Sequence, residues 1–198
     1  MIKNEFSRQD TGAGTLLNGI VSVLEGKYYN CIRELWIELE ERFGLNKVCV
    51  FPHPHITFQM GIPKKEPEKI VLFNETFKNE KPFLIKVNKV QKFGTRVIYL
   101  KVEKTKRLTR LNKKINNFMN QISAQVLDLY EPCNWIPHIT LAMDDIPEDK
   151  FNSVFSFLKS QKIRFNLKAQ NLVLVKSQNM KNFKIIKKII LPTVPGLK

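Results

Sequence analysis

Hydrophobic and polar residues follow two different periods along this chain, which predicts a mixture of strands and helices. Residues 15–24 and 55–60 are rich in aliphatic and β-branched residues, a composition typical of strands. Residues 29–43 instead carry apolar residues at helical spacing, and Gly44 is suited to ending a helix. The same criteria predict further helices after Pro67, over 105–123 and from about 147, and further strands over 83–87, 97–102, 138–143, 163–175 and 183–191.

Two of these segments carry the same tetrapeptide, Pro-His-Ile-Thr, at residues 54–57 and 137–140. A large apolar residue follows each copy, Phe58 after the first and Leu141 after the second. The chain has only three histidines, and two of them lie in this repeated context. A single histidine beside a strand is usually a packed core residue, whereas two matched copies favour a shared chemical role.

The chemistry of this motif follows from the geometry of a strand. Residues i and i+2 project from the same face, so His55 lies beside Thr57 and His138 lies beside Thr140. Two imidazoles can divide the work of a general base and a general acid, because their unperturbed pKa lies near neutrality. Each threonine hydroxyl can donate a hydrogen bond to a phosphoryl oxygen. If the two strands meet at a cleft, these four groups suit the cleavage of a phosphodiester.

The sequence around the two motifs does not have the pattern of a metal site. We find neither the carboxylate cluster that magnesium prefers nor a third neutral ligand for zinc. The segment His53-Pro54-His55 could begin a histidine-triad motif, but position 57 is threonine. We therefore predict catalysis without a metal, with His53 as a loop residue at the edge of the cleft.

The order helix, motif strand, helix, strand occurs twice along the chain. This repetition predicts two similar lobes that face each other, each offering one motif strand to a central cleft. Helices and strands do not strictly alternate, so an α+β class with antiparallel sheets fits better than a doubly wound sheet. We expect residues 1–13 to form a flexible arm and residues 14–198 to form a single bilobal domain.

Composition adds a strong positive charge to this picture. The chain has 198 residues, of which 43% are hydrophobic and 26% charged, and its net charge is +15. Such a surface attracts polyanions, with nucleic acid as the first candidate and an anionic membrane as the second, although a solvated lysine-rich surface explains it equally well. The cysteines at 31, 49 and 133 form no CxxC pair, which predicts reduced thiols. With no apolar stretch typical of a signal peptide or a membrane span, we expect a cytoplasmic protein without a membrane partner.

The paired motifs resemble those of the two-histidine (2H) phosphoesterases, which include the 2′-5′ RNA ligase-like and cyclic nucleotide phosphodiesterase proteins. Residues 172–177 followed by Phe183 are similar to the closing hairpin of that family, with Phe183 where an aromatic residue is usual. The resemblance covers about residues 15–191. It implies a pseudo-symmetric fold with two antiparallel sheets lining a central cleft and helices outside. It also implies hydrolysis of 2′,3′-cyclic phosphates to 2′-phosphates, or attack on 2′-5′ phosphodiester bonds, without a cofactor.

Several neighbouring residues are candidates for substrate contacts. Trp135 lies in a predicted loop and either stacks on a base or packs in the core, while Phe58 is expected to pack in the core. Arg96, Lys101 and Lys176 are alternative cations for the cleft. The sequence does not choose among them.

Three functions remain open at the level of the sequence. The first is an RNA-processing phosphoesterase, expected to be a monomer, that acts on RNA or nucleotides with cyclic or 2′-5′ phosphates. In this function His55 and His138 share the base and acid roles in an unassigned order, and Thr57 and Thr140 bind phosphate. The second is an RNA-binding module with a vestigial cleft, and the third is a small-molecule cyclic nucleotide phosphodiesterase.

Overall fold

A computed structural model describes residues 15–64, 69–178 and 180–192, and these residues form two antiparallel sheets. The predicted arm at residues 1–13 lies outside the described residues. The first sheet consists of β1 (Leu16–Val23), β2 (His55–Pro63), β5 (Ser123–Val126), β8 (Asn171–Gln178) and β9 (Lys181–Ile190), in the spatial order β5-β2-β1-β8-β9. The second sheet consists of β3 (Phe83–Phe93), β4 (Val97–Val102), β6 (His138–Met143) and β7 (Phe165–Ala169), in the order β6-β4-β3-β7. The predicted α+β class is confirmed.

Four α-helices cover the sheets, at α1 (Lys27–Phe43), α2 (Lys69–Phe77), α3 (Lys106–Ile122) and α4 (Phe151–Ser160). α3 begins where the Thr105 side chain accepts a hydrogen bond from the Leu108 main-chain N–H, a standard N-cap. α1 ends at Gly44, whose φ of 74° lies in the left-handed region that glycine adopts without strain. Local sequence therefore determines both boundaries, as predicted. None of the helices in the described part of the chain is long and apolar enough to cross a membrane.

The two repeated halves of the sequence do not each form one sheet. The first half contributes β3 and β4 to the second sheet, and the last two strands, β8 and β9, return to the first sheet. The helices follow the same exchange, since α3 contacts β2 and β5 whereas α1 contacts β6 and α4 contacts β3. Each motif strand is thus supported by elements from both halves of the chain.

The C-terminal strand prediction needs one correction. Residues 163–175 were expected to form one strand, but they form β7 and β8, which belong to different sheets. The chain changes sheet around Gln170. There the buried Asn171 side chain bonds both the N–H and the carbonyl of Val23, which fixes the start of β8 to the end of β1. β5, a strand of four residues, was not predicted.

One hydrophobic cluster joins side chains from both sheets and from all four helices. A smaller cluster lies on the other face of the first sheet and contains Val21, Phe51, Val173 and Val175, with Val23 and Phe183 packed against it. The predicted closing hairpin is present as the paired strands β8 and β9. All three cysteines are free, with Cys31 and Cys133 exposed and Cys49 half-buried.

Candidate active site

The sheet registers place each histidine and threonine pair on one face of its sheet. In the first sheet His55 lies opposite Val23 and Thr57 lies opposite Val21, on the face that carries the smaller hydrophobic cluster. In the second sheet His138 lies opposite Lys101 and Thr140 lies opposite Tyr99. The strands β2 and β6 contact each other. All four predicted groups therefore occupy two adjoining strands.

The two motif strands share the same local structure. Leu24 N–H donates to the carbonyl of Pro54 at 2.8 Å, and Val102 N–H donates to the carbonyl of Pro137 at 3.1 Å. Each strand also has a shift in register just after its threonine, which leaves Phe58 or Leu141 as the extra residue. Such a β-bulge re-aims side chains locally and is common beside active sites. The repeat in sequence is thus a repeat in backbone geometry.

The imidazole rings are oriented in the same way in both motifs. His55 Nδ1 lies 2.7 Å from the carbonyl oxygen of His53, and His138 Nδ1 lies 2.7 Å from the carbonyl oxygen of Ile136. A carbonyl can only accept, so Nδ1 carries a hydrogen in each ring and donates it. The Nε2 atom of each ring is therefore the nitrogen that can exchange a proton with a bound molecule.

Both histidines have lowered pKa values because their rings are partly withdrawn from water. Burial lowers the pKa of His55 from 6.5 to about 4, against the opposing effect of the bond to the His53 carbonyl, and charge on His138 lowers it further. Burial also lowers the pKa of His138, again opposed by its main-chain hydrogen bond. The two rings lie on strands that contact each other. Both rings are neutral near pH 7 when the site is empty.

Aromatic rings hold each imidazole in place. The ring of Phe51 lies 4.9 Å from that of His55 at a steep angle, and Phe183 packs against Phe51 at 5.5 Å. His138 lies 5.3 Å from Phe93 and 5.1 Å from Tyr99, which stack on each other at 4.1 Å. These contacts restrict the rotamers of both imidazoles and reduce their contact with water.

Tyr130 links the two motifs. Its hydroxyl is hydrogen-bonded to the Thr57 side chain, and burial raises the pKa of this phenol to about 12. Tyr130 also lines a cavity of about 20 Å³ together with Phe93, Trp135 and His138. That volume suffices for one water molecule. The bond to Tyr130 holds the Thr57 side chain in position beside the motif.

Trp135 does not offer a surface for base stacking, which corrects one of the two roles considered for it. Its side chain is 1% exposed and stacks on Phe58 at 5.2 Å. The indole N–H donates to the carbonyl of Thr57 at 2.9 Å, and the Asn112 amide donates to the carbonyl of Phe58 at 2.9 Å. These two side chains bond the carbonyls of the motif strand where β5 does not reach, because β5 pairs only with residues 61–63.

The structure distinguishes among the three cations considered for the cleft. Arg96 forms an ion pair with Asp144 at 2.5 Å. Lys176 lies opposite Asn18, on the face of β8 that alternates with Val173 and Val175 and therefore points away from the motif face. Lys101 lies opposite His138 and is exposed, so it is the one of the three that shares a face with a candidate catalytic residue.

The sequence analysis missed four aromatic residues at this site, namely Phe51, Phe93, Tyr99 and Tyr130. Phe51 lies close to the first motif and could have been noticed, but the other three approach through strand pairing and loop packing that the sequence does not display. His53 lies beside the motif as predicted, half-buried, and its ring nitrogen is 3.3 Å from the Tyr29 hydroxyl. Within the described ranges, no group of three or more His, Cys, Asp or Glu side chains could hold a metal ion.

The paired sheets and the two matched His-x-Thr strands define the class of protein, the 2H phosphoesterases. Residues 33–180 match the 2′-5′ RNA ligase superfamily, and the chain belongs to this superfamily. A protein of Bacillus cytotoxicus named "Putative phosphoesterase" is 32% identical over 108 residues, a match that covers 52% of this chain and 58% of that protein. The superfamily and this relative support a phosphoesterase activity in general.

Solved structures show the same fold at low sequence identity. TT0787 of Thermus thermophilus matches with a TM-score of 0.61 and 18% identity, over 88% of this chain and 97% of that one. E. coli LigT complexed with 3′-AMP matches with a TM-score of 0.55 and 13% identity, over 90% of this chain and 99% of that one. LigT has also been solved with ATP. At these identities the likeness establishes the fold and not the substrate.

Proposed function

We propose that this protein hydrolyses 2′,3′-cyclic phosphate ends of RNA or nucleotides to 2′-phosphates by general acid–base catalysis with His55 and His138. The observation that carries the proposal is the matched pair of Nδ1–carbonyl hydrogen bonds at 2.7 Å. They fix two imidazoles in the same tautomer on adjoining strands and leave both Nε2 atoms for proton transfer. Attack on 2′-5′ phosphodiester bonds needs the same groups, and the choice of products below separates the two reactions.

The reaction needs one proton removed and one proton supplied. A water molecule attacks phosphorus while one Nε2 takes its proton, and the bond from phosphorus to the 3′ oxygen breaks. The other imidazolium then gives its Nε2 proton to the departing 3′ oxygen. The product carries a 2′-phosphate and a free 3′ hydroxyl, and the two rings have exchanged their protonation states. Proton transfer by positioned side chains contributes about 100- to 10,000-fold to such reactions.

We assign the base to His55 and the acid to His138. The pKa of His55 falls to about 4, and charge on His138 is one of its causes. This lowering favours the neutral form of His55, which is the form that a general base needs. A bound phosphate anion favours the protonated form of His138, because an opposite charge nearby raises the pKa of an imidazole.

Thr57 and Thr140 are proposed to hold the non-bridging phosphate oxygens. Each projects from the same face as its histidine, and the Tyr130 hydroxyl is bonded to Thr57. Lys101, opposite His138, adds a positive charge on that face. Donors positioned before the reaction stabilise the charge that develops on phosphorus oxygens without having to reorganise.

The test is a direct assay on 2′,3′-cyclic nucleotides with identification of the product phosphate. His55→Ala and His138→Ala should each lower kcat/KM by about 100-fold or more, on the scale of general acid–base contributions. His53→Ala is the matched control, since it changes a neighbouring imidazole that the mechanism does not use. The activity should follow a bell-shaped pH profile and yield only 2′-phosphate. Full activity in the double His→Ala variant, or a 3′-phosphate product, would contradict the proposal.

An RNA-binding module with a vestigial cleft is the second candidate, favoured by the net charge of +15. It predicts salt-sensitive RNA binding without turnover of any cyclic phosphate. The matched geometry of the two motifs argues against it, because a cleft without catalytic use has no need for two identically oriented imidazoles. Turnover assays with a panel of cyclic and 2′-5′ linked substrates distinguish the two candidates.

A further inference from the structure

We propose that the substrate is an RNA strand longer than one nucleotide, and that it runs from the motif cleft over the second sheet into a basic groove at the end of α4. This inference rests on the proposed function, since it places the cyclic end of the RNA at His55 and His138. It adds a binding surface that the phosphoesterase chemistry does not require. We call the lysines of β4 and β3 and this groove the basic track.

The track begins beside His138. Lys101 on β4 lies directly opposite His138, and Lys89 on β3 lies directly opposite Lys101. Directly opposed residues of an antiparallel sheet project from the same face, so the three side chains form one row. Neighbouring strands are about 5 Å apart, which places the Lys89 backbone about 10 Å from that of His138. Both lysines are exposed, whereas Leu100 and Val90, which project from the opposite face, are buried.

At Lys89 the row meets a groove of about 720 Å³ at the free edge of β3, lined by Lys89 from one face of the strand and by Val90 from the other. The groove lies where β3 extends past its neighbour, because β7 pairs only with residues 83–87 of that strand. Lys89 forms one wall, and Lys159, Lys162 and Arg164 from the end of α4 and the following loop line the rest with Phe155. The volume is within the range of about 300–1,000 Å³ found for ligand sites. The groove combines cations with an aromatic side chain.

The cations of the track are not neutralised by the protein. In the described ranges, none of Lys89, Lys101, Lys159, Lys162 and Arg164 takes part in a salt bridge. Other basic side chains do have carboxylate partners, since Glu80 binds both a lysine and an arginine of α3. A row of five cations without carboxylate partners is complementary to a ligand with regularly repeated negative charges.

RNA fits this row better than an acidic peptide because of where the row begins. Its first member shares a face with His138, where the proposed reaction needs a phosphate. The next phosphates of the same strand then meet Lys89 and the groove. Phe155 also lines the groove, but the amino groups of Lys92 and Lys159 already lie 5.4 and 5.6 Å from its ring centroid, so the match to RNA comes from the cations and not from base stacking.

The experiment compares a cyclic mononucleotide with an oligonucleotide that has the same cyclic end. The track variant carries Lys159→Gln, Lys162→Gln and Arg164→Gln. The control variant carries Lys106→Gln, Arg110→Gln and Lys113→Gln, which remove the same charge from exposed positions on α3. Both kcat/KM on each substrate and binding of a fluorescent single-stranded RNA are measured over a range of salt concentrations.

We expect the track variant to lose about tenfold or more in kcat/KM on the oligonucleotide and in RNA binding, with no change on the mononucleotide. Loss of three phosphate contacts should also lower the log–log salt dependence by about 2. The control variant should keep the wild-type values. Equal loss in both variants, unchanged RNA binding in the track variant, or equal competition by polyglutamate of matched charge would overturn the proposal.

The two proposals fail in different ways. If no variant and no wild-type protein turns over any cyclic phosphate while RNA binding still depends on the groove, the phosphoesterase assignment is wrong and the basic track stands. If turnover is normal and RNA binding does not depend on the groove, the track is wrong and the phosphoesterase assignment stands.

Discussion

Replacing His55 by glutamine should remove a defined part of the pH dependence of folding. The pKa of His55 falls from 6.5 to about 4 in the folded protein, with burial as the first cause. At about 1.4 kcal/mol per pH unit, this difference corresponds to about 3 kcal/mol. The sign follows from linkage: the unfolded chain takes up a proton as the pH falls through 6.5, while the folded chain does so only near pH 4. Stability present above pH 6.5 is therefore lost as the pH falls, and the loss is complete below about pH 4.

Urea unfolding of the wild type and of His55→Gln at pH 7.5 and pH 5 measures this effect. Between these two pH values most carboxylates stay ionised, and any change from His138 is shared by both proteins. With a folded pKa of about 4, the wild type should lose about 2 kcal/mol more than the variant. Glutamine places a neutral polar amide at this position, so the comparison removes the titration of the imidazole.

The reasoning would be refuted by the same pH dependence in both proteins. An NMR titration gives an independent reading, because the chain has three histidines and the variant identifies the resonance of His55. A resonance that titrates near pH 6.5 would mean that the ring is solvated, and the assignment of His55 as the base would lose its support.

Three further substitutions test the surroundings of the motif. Tyr130→Phe should lower kcat/KM about tenfold and change the unfolding free energy by less than about 1 kcal/mol, because it removes only the hydroxyl beside Thr57. Unchanged kinetics would exclude a positioning role for Tyr130. Asn112→Ala should lower the free energy of unfolding, measured in urea, by about 2–4 kcal/mol, since it leaves the carbonyls of Phe58 and Tyr130 without their donor. A loss below about 1 kcal/mol would contradict this. Gly61→Ala should lower the free energy of unfolding by about 1–3 kcal/mol, because the added Cβ would lie 2.6 Å from the Gln125 carbonyl oxygen. A variant as stable as the wild type would disprove this contact.

The elements that the sequence predicts well are those whose determinants are local. α3 was predicted over 105–123 and is observed at Lys106–Ile122, because its apolar stripe lies within the helix itself. The motif strands were predicted for the same reason, since Pro-His-Ile-Thr excludes a helix at its start and continues with apolar residues. In these segments neither boundary needs a distant partner.

The elements that the sequence does not predict depend on distant partners. Residues 163–175 are continuous in strand-forming residues, and the change of sheet near Gln170 is fixed by bonds from Asn171 to Val23, which lies 148 residues away. β5 is four residues long and acquires its strand geometry from pairing with residues 61–63. Neither feature has a signal in a local window of sequence.

The candidate site also has residues that the sequence predicts and residues that it does not. His55, His138 and their threonines are readable from the repeated motif, but the rings that hold them are not. Tyr99 meets His138 because β4 pairs with β6, and the base-stacking role considered for Trp135 fails because its indole is used to bond a carbonyl of the other motif. The repeat predicts which groups react, while tertiary pairing decides their environment.

That environment makes two similar motifs unequal. Both have the proline carbonyl bond, the Nδ1–carbonyl bond and the bulge after threonine, so their backbones offer the same geometry. Their surroundings differ, because the ring of His55 contacts Phe51 whereas that of His138 contacts Phe93 and Tyr99. Burial lowers the pKa of both imidazoles, and charge on His138 lowers that of His55 further. The proposed mechanism needs one base and one acid, and the packing around the motifs, not their matched sequence, supplies a difference between the two rings.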